Sequence, residues 1–150
     1  KSIGNNVKIF HGVEFSYGYN LTIEDDCVIH KYVMLDDRGE IIIKKGTSIS
    51  DYAAVYSHAH DPVDSGVVEN RKTEIGPHAR LTYHSAVMAG VRIGEDAILG
   101  AMGVATREVG DHVIAGGVPA KQLKTKDEAK QFEDRTDVPA PDRVVKPQCD

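Results

Sequence analysis

The chain has 150 residues, 41% of them hydrophobic, and its 18 Lys and Arg against 23 Asp and Glu leave a formal charge of −5, which sets the expectation of one soluble domain. No run of Lys and Arg exceeds two residues and aromatics make up only 6%, which speaks against a nucleic-acid groove or an anionic membrane surface. No apolar stretch approaches the roughly 20 residues of a membrane-spanning helix.

A first block of three hexads starts at Ile3 (IGNNVK, IFHGVE, FSYGYN), a second at Ile23 (IEDDCV, IHKYVM, LDDRGE) and a third at Ile43 (IKKGTS, ISDYAA, VYSHAH). Two-residue insertions, Leu21-Thr22 and Ile41-Ile42, separate these blocks, and a fourteen-residue insertion from Asp61 to Glu74 follows the third. From Ile75 the beat runs unbroken through Leu81, Val87, Ile93 and Leu99, with Ala79, Ser85, Val91, Ala97 and Gly103 four places after each. Two cysteines complete the inventory. Cys27 sits at an inward small-residue position and Cys149 is next to last, so the two are not expected to pair; a reducing cytoplasm is the natural setting.

A period of six grouped in threes implies a three-sided coil, each side a short strand with one aliphatic residue inward and polar neighbours outward. No coil buries its own core, so about five stack into an all-β parallel solenoid with a file of Ile, Leu and Val inside. An alternating-strand sandwich would need an inward residue at every second position, which residues 75–105 do not show. Small residues at the fourth place suit tight corners, and Gly or Asn nearby suits positive φ.

After Gly110 the beat stops and the solenoid is expected to end. Residues 126–134 read as a short capping helix, and the stretch from Thr136, with Pro139, Pro141 and Pro147, as an extended or disordered arm. The chain thus divides into a solenoid domain over 3–123, carrying the 61–74 loop, and a C-terminal helix and tail over 124–150. Seven basic and seven acidic residues from Lys121 onward cancel, so the tail is assigned no ligand.

The hexad pattern resembles that of the hexapeptide-repeat family, and the resemblance implies a left-handed parallel β-helix, an exception to right-handed crossover. It covers about residues 3–124. Its specific carriers are SHAHDPV, Ser57 to Val63, and AGGVPAKQL, Ala115 to Leu123, which is similar to the closing signature of the family's coenzyme A-dependent acyltransferases. In that family the closing segment lines the coenzyme A groove between neighbouring subunits, which implies Pro119 near the adenine and Lys121 toward phosphate. Gly-rich turns and basic side chains are ordinary means of holding phosphates. The hexads ILGAMG and VATREV resemble the run along the pantetheine arm, which implies donor contacts for Gly100, Ala101, Thr106 and Arg107.

In the family's sugar and antibiotic acetyltransferases a histidine just before the crossing loop is the general base, and His60, followed by Asp, matches it better than His58. A sugar hydroxyl is a poor nucleophile near neutral pH, and removing its proton during attack contributes about 10²–10⁴-fold. The resemblance also implies an acidic acceptor turn one coil earlier, which makes Asp36 and Asp37 of MLDDRGE the acceptor candidates; His58, third after the inward Val55, is expected to project from a coil corner and either bind the acceptor or orient His60. A backbone N–H would stabilise the oxyanion.

The expectation is an acetyl-CoA-dependent O-acetyltransferase acting on a sugar or glycan hydroxyl, built as a homotrimer with active sites between subunits and needing no metal. Two departures bear on the acceptor. Arg80 stands where many relatives have Trp, leaving Tyr83 near the thioester end, and the amino-terminal helical region of the maltose and galactoside members is missing. Three rival readings fit parts of the same sequence: N-acetylation of a nucleotide-linked amino sugar, a gamma-class carbonic-anhydrase-like zinc site using His60, His78 and His84, and a solenoid without activity.

Overall fold

The six-residue beat folds as strands of two or three residues, with the chain turning a corner after each. The computed structural model describes residues 2–134. Coil 1 is β1 (Ser2–Ile3), β2 (Lys8–Ile9) and β3 (Glu14–Phe15); coil 2 is β4 (Leu21–Ile23), β5 (Val28–Ile29) and β6 (Met34–Asp36). Coil 3 is β7 (Ile41–Ile43), β8 (Ser48–Ile49) and β9 (Ala54–Tyr56), after which a hairpin of β10 (His58–His60) and β11 (Val68–Asn70) leaves the solenoid. Coil 4 resumes with β12 (Thr73–Ile75), β13 (Arg80–Leu81) and β14 (Ala86–Val87); coil 5 is β15 (Arg92–Ile93), β16 (Ile98–Leu99) and β17 (Val104–Ala105). The described chain finishes with β18 (Val113–Gly116), β19 (Lys121–Thr125) and α1 (Lys126–Asp134).

Strands at the same place in successive coils pair in parallel. Sheet A is β1-β4-β7-β12-β15, sheet B runs β2-β5-β8-β13-β16-β18 with β19 added antiparallel, and sheet C is β3-β6-β9-β14-β17. The register stacks like on like: Ile23 on Ile43, Ile43 on Ile75, Ile75 on Ile93. The fold is a left-handed parallel β-helix. It has about six turns, because Val109 bridges Ile93 and β18 continues sheet B past Gly110. The sequence expectation of about five coils is corrected by this last partial turn, whose backbone pairing outlasts the hexad pattern.

The inward files are closed to solvent: Ile43, Ile75 and Ile93 from sheet A, Ile49, Leu81 and Leu99 from sheet B, Leu35, Val55 and Val87 from sheet C. Burial of each contributes roughly 1.5–3 kcal/mol relative to exposure. Ile3, Ile9 and Phe15 of coil 1 remain exposed, since among the described residues no coil packs beneath them.

Coil corners form three ridges, and along two of them each corner places one residue at positive φ. The ridge between sheets A and B carries Asn6, Asp26, Gly46, His78, Asp96 and His112; the ridge between B and C carries Gly12, Tyr32, Tyr52, His84 and Met102. Gly and Asn were the expected residues, and Asp and His also tolerate this conformation. Tyr does not favour it. Stacking holds it there: the Tyr32 and Tyr52 rings lie 5.1 Å apart and Tyr52 and His84 4.9 Å apart, each pair nearly parallel. The same closeness fixes Gly46, where a Cβ would fall 2.4 Å from His78 Nδ1.

The expectation of polar outward neighbours fails at places on every face and most on sheet C. Sheet A presents Thr22, Ile42, Glu74 and Arg92 outward and sheet B Lys8, Val28, Ser48, Arg80, Ile98 and Ile114, whereas sheet C, beyond Glu14, presents Met34, Ala54, Ala86 and Val104. The inserted arm also differs in extent from the expected 61–74. Its first strand begins at His58, and Thr73 and Glu74 already belong to β12, with Thr73 fully buried.

The helix falls where the sequence placed it. Thr125 and Glu128 cap it reciprocally, Glu128 N–H donating to Thr125 Oγ1 and Thr125 N–H to the Glu128 carboxylate. Lys126 ties it to Asp96 on the first ridge. Cys149 and the expected extended arm lie outside the described residues. Among the described residues no helix is long and apolar enough to cross a membrane.

Candidate active site

The third ridge, between sheets C and A, carries the acidic turn and the histidine arm. Residues 16, 36 and 56 stack there in successive coils, since Phe15 pairs with Leu35 and Asp36 with Tyr56. Asp36 is 3% exposed. Its Oδ1 accepts from Ser16 Oγ at 2.6 Å and from Arg38 Nε at 3.0 Å. Its Oδ2 lies 2.8 Å from His58 Nδ1, a close contact that is not made as a hydrogen bond. Burial pushes the Asp36 carboxyl up, but the Ser16 hydroxyl, Arg38 and the His58 ring together outweigh it and hold the group below its ordinary range.

Asp37 is fully enclosed. Its Oδ1 accepts from Tyr17 N–H at 2.8 Å and its Oδ2 from Asn20 N–H at 3.1 Å. Burial raises this carboxyl too, and the backbone donors of Gly18, Tyr17 and Asn20 more than compensate, leaving it lowered. Asp37, expected at the acceptor, is thus an enclosed carboxylate whose turn N–H partners make it the anchor of that turn. Asp36 is likewise turned inward, toward His58.

Ser57 locks the base of the arm to this corner. Its hydroxyl donates to the Asp36 carbonyl at 2.6 Å and accepts from Gly39 N–H at 2.9 Å, while its carbonyl accepts from Arg71 N–H. Sequence reading missed Ser16 and Ser57, although Ser16 stands one twenty-residue block before Asp36 and the repeat register alone places them together.

From this base β10 carries His58 and His60. The His58 side chain is 11% exposed. His60 stands in solvent, and its ring meets that of His58 edge-on at 5.9 Å between centroids. His60 Nδ1 lies 3.1 Å from the Ser65 carbonyl. A carbonyl only accepts, so this contact calls for a proton on Nδ1, the tautomer in which a neutral imidazole carries its lone pair on Nε2. Asp61 does not orient His60. Its carboxylate accepts from Val63 and Asp64 N–H at 2.8 Å each, and those donors lower its pKa.

The other sequence-selected residues occupy a different ridge. Tyr83 and Ala101 are exposed neighbours on the corner between sheets B and C, where Met102 N–H donates to the Tyr83 carbonyl. Gly100 N–H is already engaged by Ala115 O at 2.8 Å, so what Gly100 offers a ligand is room. The turn Gly117 to Ala120 docks on β17, through Val104 N–H to Gly117 O and Ala120 N–H to Val104 O, and exposes Pro119 and Lys121. Thr106 and Arg107 are exposed too, but they follow β17 onto the third ridge.

No family model matches the chain. Over 82% of its length it is 30% identical to dTDP-4-amino-4,6-dideoxy-D-glucose acyltransferase of Escherichia coli, covering 81% of that protein. This chain belongs to the hexapeptide-repeat acyltransferase family. It is 28% identical over 82% of its length to galactoside O-acetyltransferase of Escherichia coli, and spans only 56% of that protein's length.

Among solved structures, a maltose O-acetyltransferase from Clostridium difficile superimposes with a TM-score of 0.77 at 22% identity, over 83% of this chain and 68% of its own. AntD, an N-acyltransferase from Bacillus cereus in complex with dTDP and 3-hydroxybutyryl-CoA, superimposes with a TM-score of 0.71 at 26% identity, over 89% of this chain and 77% of its own. The relatives of this acyltransferase thus include proteins named for transfer to hydroxyls and to amines.

In the acyltransferase the three histidines of the zinc alternative are dispersed. His78 lies on the first ridge, His84 on the second and His60 on the arm from the third. Among the described residues no three His, Cys, Asp or Glu side chains converge.

Proposed function

We propose that this acyltransferase uses acetyl-CoA to acetylate a hydroxyl of a neutral sugar or glycan, with His60 as general base. The observation that carries the reading is the contact of His60 Nδ1 with the Ser65 carbonyl, which leaves Nε2 available as a base at the end of a projecting arm. His60 Nε2 takes the proton of the acceptor hydroxyl as its oxygen attacks the thioester carbonyl carbon. The carbon–sulfur bond then breaks, and the same proton passes from His60 to the departing thiolate. Pro119 and Lys121, exposed beside glycines 116 and 117, are the residues for the nucleotide end of the donor, and Tyr83 and Ala101 lie along the path of its arm.

A neutral acceptor is favoured over a nucleotide-linked sugar by the charges at the third ridge. A diphosphate requires free cations. Beside the arm Arg38 is engaged by Asp36 and Arg71 by Glu69, and Asp36 and Asp37 stay ionised beneath, while the exposed Arg107 stands on the same ridge two coils beyond the arm's base.

The reading requires a homotrimer. The donor ridge and the arm flank opposite edges of sheet C, and a six-residue side at about 3.3 Å per residue separates them by roughly 20 Å. One chain cannot bring both to one acetyl group. The apolar outer file Met34, Ala54, Ala86 and Val104 gives sheet C a surface on which a second copy fits, setting one subunit's arm against its neighbour's donor ridge. A cytoplasmic location, where acyl-CoA is made, belongs to the same proposal.

The test is calorimetric titration of the purified protein with acetyl-CoA, followed by product identification on a panel of sugars bearing free hydroxyls or free amines. Micromolar binding near one per subunit and O-acetyl products are expected. Amine products alone would replace hydroxyl transfer by N-acylation, the reading favoured by the names of two relatives. No binding to a folded protein would overturn transfer altogether.

A further inference from the structure

The first coil ends its third side in the turn SYGYN, residues 16–20, directly beneath the Asp36 and Asp37 corner. Two tyrosines stand out from it. Tyr17 and Tyr19 are 53% and 63% exposed, and their rings stack 5.1 Å apart within 6° of parallel. The turn beneath them is rigidly held: Ser16 Oγ bonds Asp36, Tyr17 and Asn20 N–H bond Asp37, Asn20 Nδ2 bonds the Arg38 carbonyl, and Gly18 takes φ +79° with open space where a Cβ would stand.

Buried anchors that fix an exposed, apolar ring pair in one orientation form a preorganised platform, not a packed part of the core. We propose that Tyr17 and Tyr19 form a subsite for a second, neutral pyranose ring of an extended acceptor, the ring next to the sugar that is acetylated. The inference rests on the acetyltransferase reading above. A pyranose offers a face of C–H groups to an aromatic ring and hydroxyls at its rim to Tyr O–H and Asn20. Two rungs of about 4.8 Å separate coil 1 from coil 3, where the histidine arm departs, so the platform lies roughly 10 Å along the ridge. That span leaves room for the reacting sugar over coil 2 and one more ring over coil 1. The chemistry favours a neutral ring: residues 16–20 carry no Lys or Arg, Glu14 borders them, and in the coil above Asp36 and Asp37 are ionised with Arg38 already engaged by Asp36, which leaves an anionic nucleotide no unpaired cation at this turn.

The experiment compares methyl glycosides with matching neutral disaccharides of gluco, galacto and N-acetylglucosamine configuration, using the full chain, Tyr17→Ala/Tyr19→Ala and Tyr17→Phe/Tyr19→Phe. Wild type is expected to favour one disaccharide at least about tenfold in kcat/KM over its monosaccharide. The double alanine variant should lose that preference through KM while turning over the monosaccharide unchanged, and the double phenylalanine variant should keep most of it. Equal loss on both acceptors, or a preference the alanines leave intact, would overturn the subsite. Binding is measured beside turnover through tyrosine emission, which the absence of Trp leaves unobscured. Disaccharide quenching that disappears in the alanine variant supports the platform even where no sugar is acetylated, which would count against the acetyltransferase reading alone. Absence of disaccharide binding, or tighter binding of dTDP, would overturn the platform.

Discussion

The two ridges that border sheet C are built in opposite ways. On the arm ridge, side chains hold one another: Ser16, Arg38 and His58 converge on Asp36, turn N–H groups fill Asp37, and Ser57 ties the arm to the coil. On the other ridge, rings and backbone do the holding: Tyr32, Tyr52 and His84 stack, Asp51 accepts from Lys31 N–H, Met102 N–H joins Tyr83 O, and Tyr83, Met102, Val118 and Lys121 stand exposed. Under the proposed reading, the difference matches what each half of a transfer requires. A base must be held within hydrogen-bond reach of one proton, whereas a long flexible donor needs a smooth track with room for its approach.

The strongest way to break this comparison is to keep the ridges apart. Ala86→Arg puts a charge on the outer face of sheet C, and the expected outcome is a folded monomer by sedimentation with no measurable transfer; a fully active monomer would refute the shared site. Next comes His60→Ala, for which kcat should fall about 10²–10⁴-fold with circular dichroism unchanged. Rates within a factor of two of wild type would make His60 a surface imidazole.

Asp37→Ala tests whether the arm ridge is fixed from beneath. It strands buried N–H groups, each at roughly 1–3 kcal/mol, so thermal unfolding should fall by about 5 °C or more while acetyl-CoA affinity stays put. Lys121→Glu is the mirror experiment. It should weaken acetyl-CoA about 10- to 100-fold, the worth of a charge-assisted phosphate contact, without changing the melting temperature.

The smallest effect is the pH dependence of stability. Asp36 and Asp37 have folded pKa values below their unfolded ones, so each contributes stability that is present above the ordinary carboxylate range and is lost as pH falls through the folded value. Denaturant midpoints should hold level from pH 7 to about 5 and fall below about 4. In Asp37→Asn that acid-side fall should be shallower.

Much of the solenoid was legible because its signal is local and repeated. One inward residue per six, five times in register from Ile75, admits few other folds, and that spacing anticipated the buried files of Ile, Leu and Val. The short helix over 126–134 was legible too. The site was less legible. The contact of His58 with Asp36, the inward turn of Asp36 and the enclosure of Asp37 all depend on which oxygen faces which neighbour about twenty residues away, and the one-letter string MLDDRGE looks the same with its carboxylates facing out.

By itself, then, the sequence determined the period, the inward side chains and the segments from which a histidine and a Gly-Pro turn emerge, because hydrophobic burial reads directly from spacing. The tertiary structure alone decided the corners and the faces. Tyr32 and Tyr52 take left-handed backbone because rings from adjacent coils stack, Asp37 is closed off because the turn below donates to it, and sheet C is the most apolar face because Met34, Ala54, Ala86 and Val104, far apart in the chain, line up only when the coils stack.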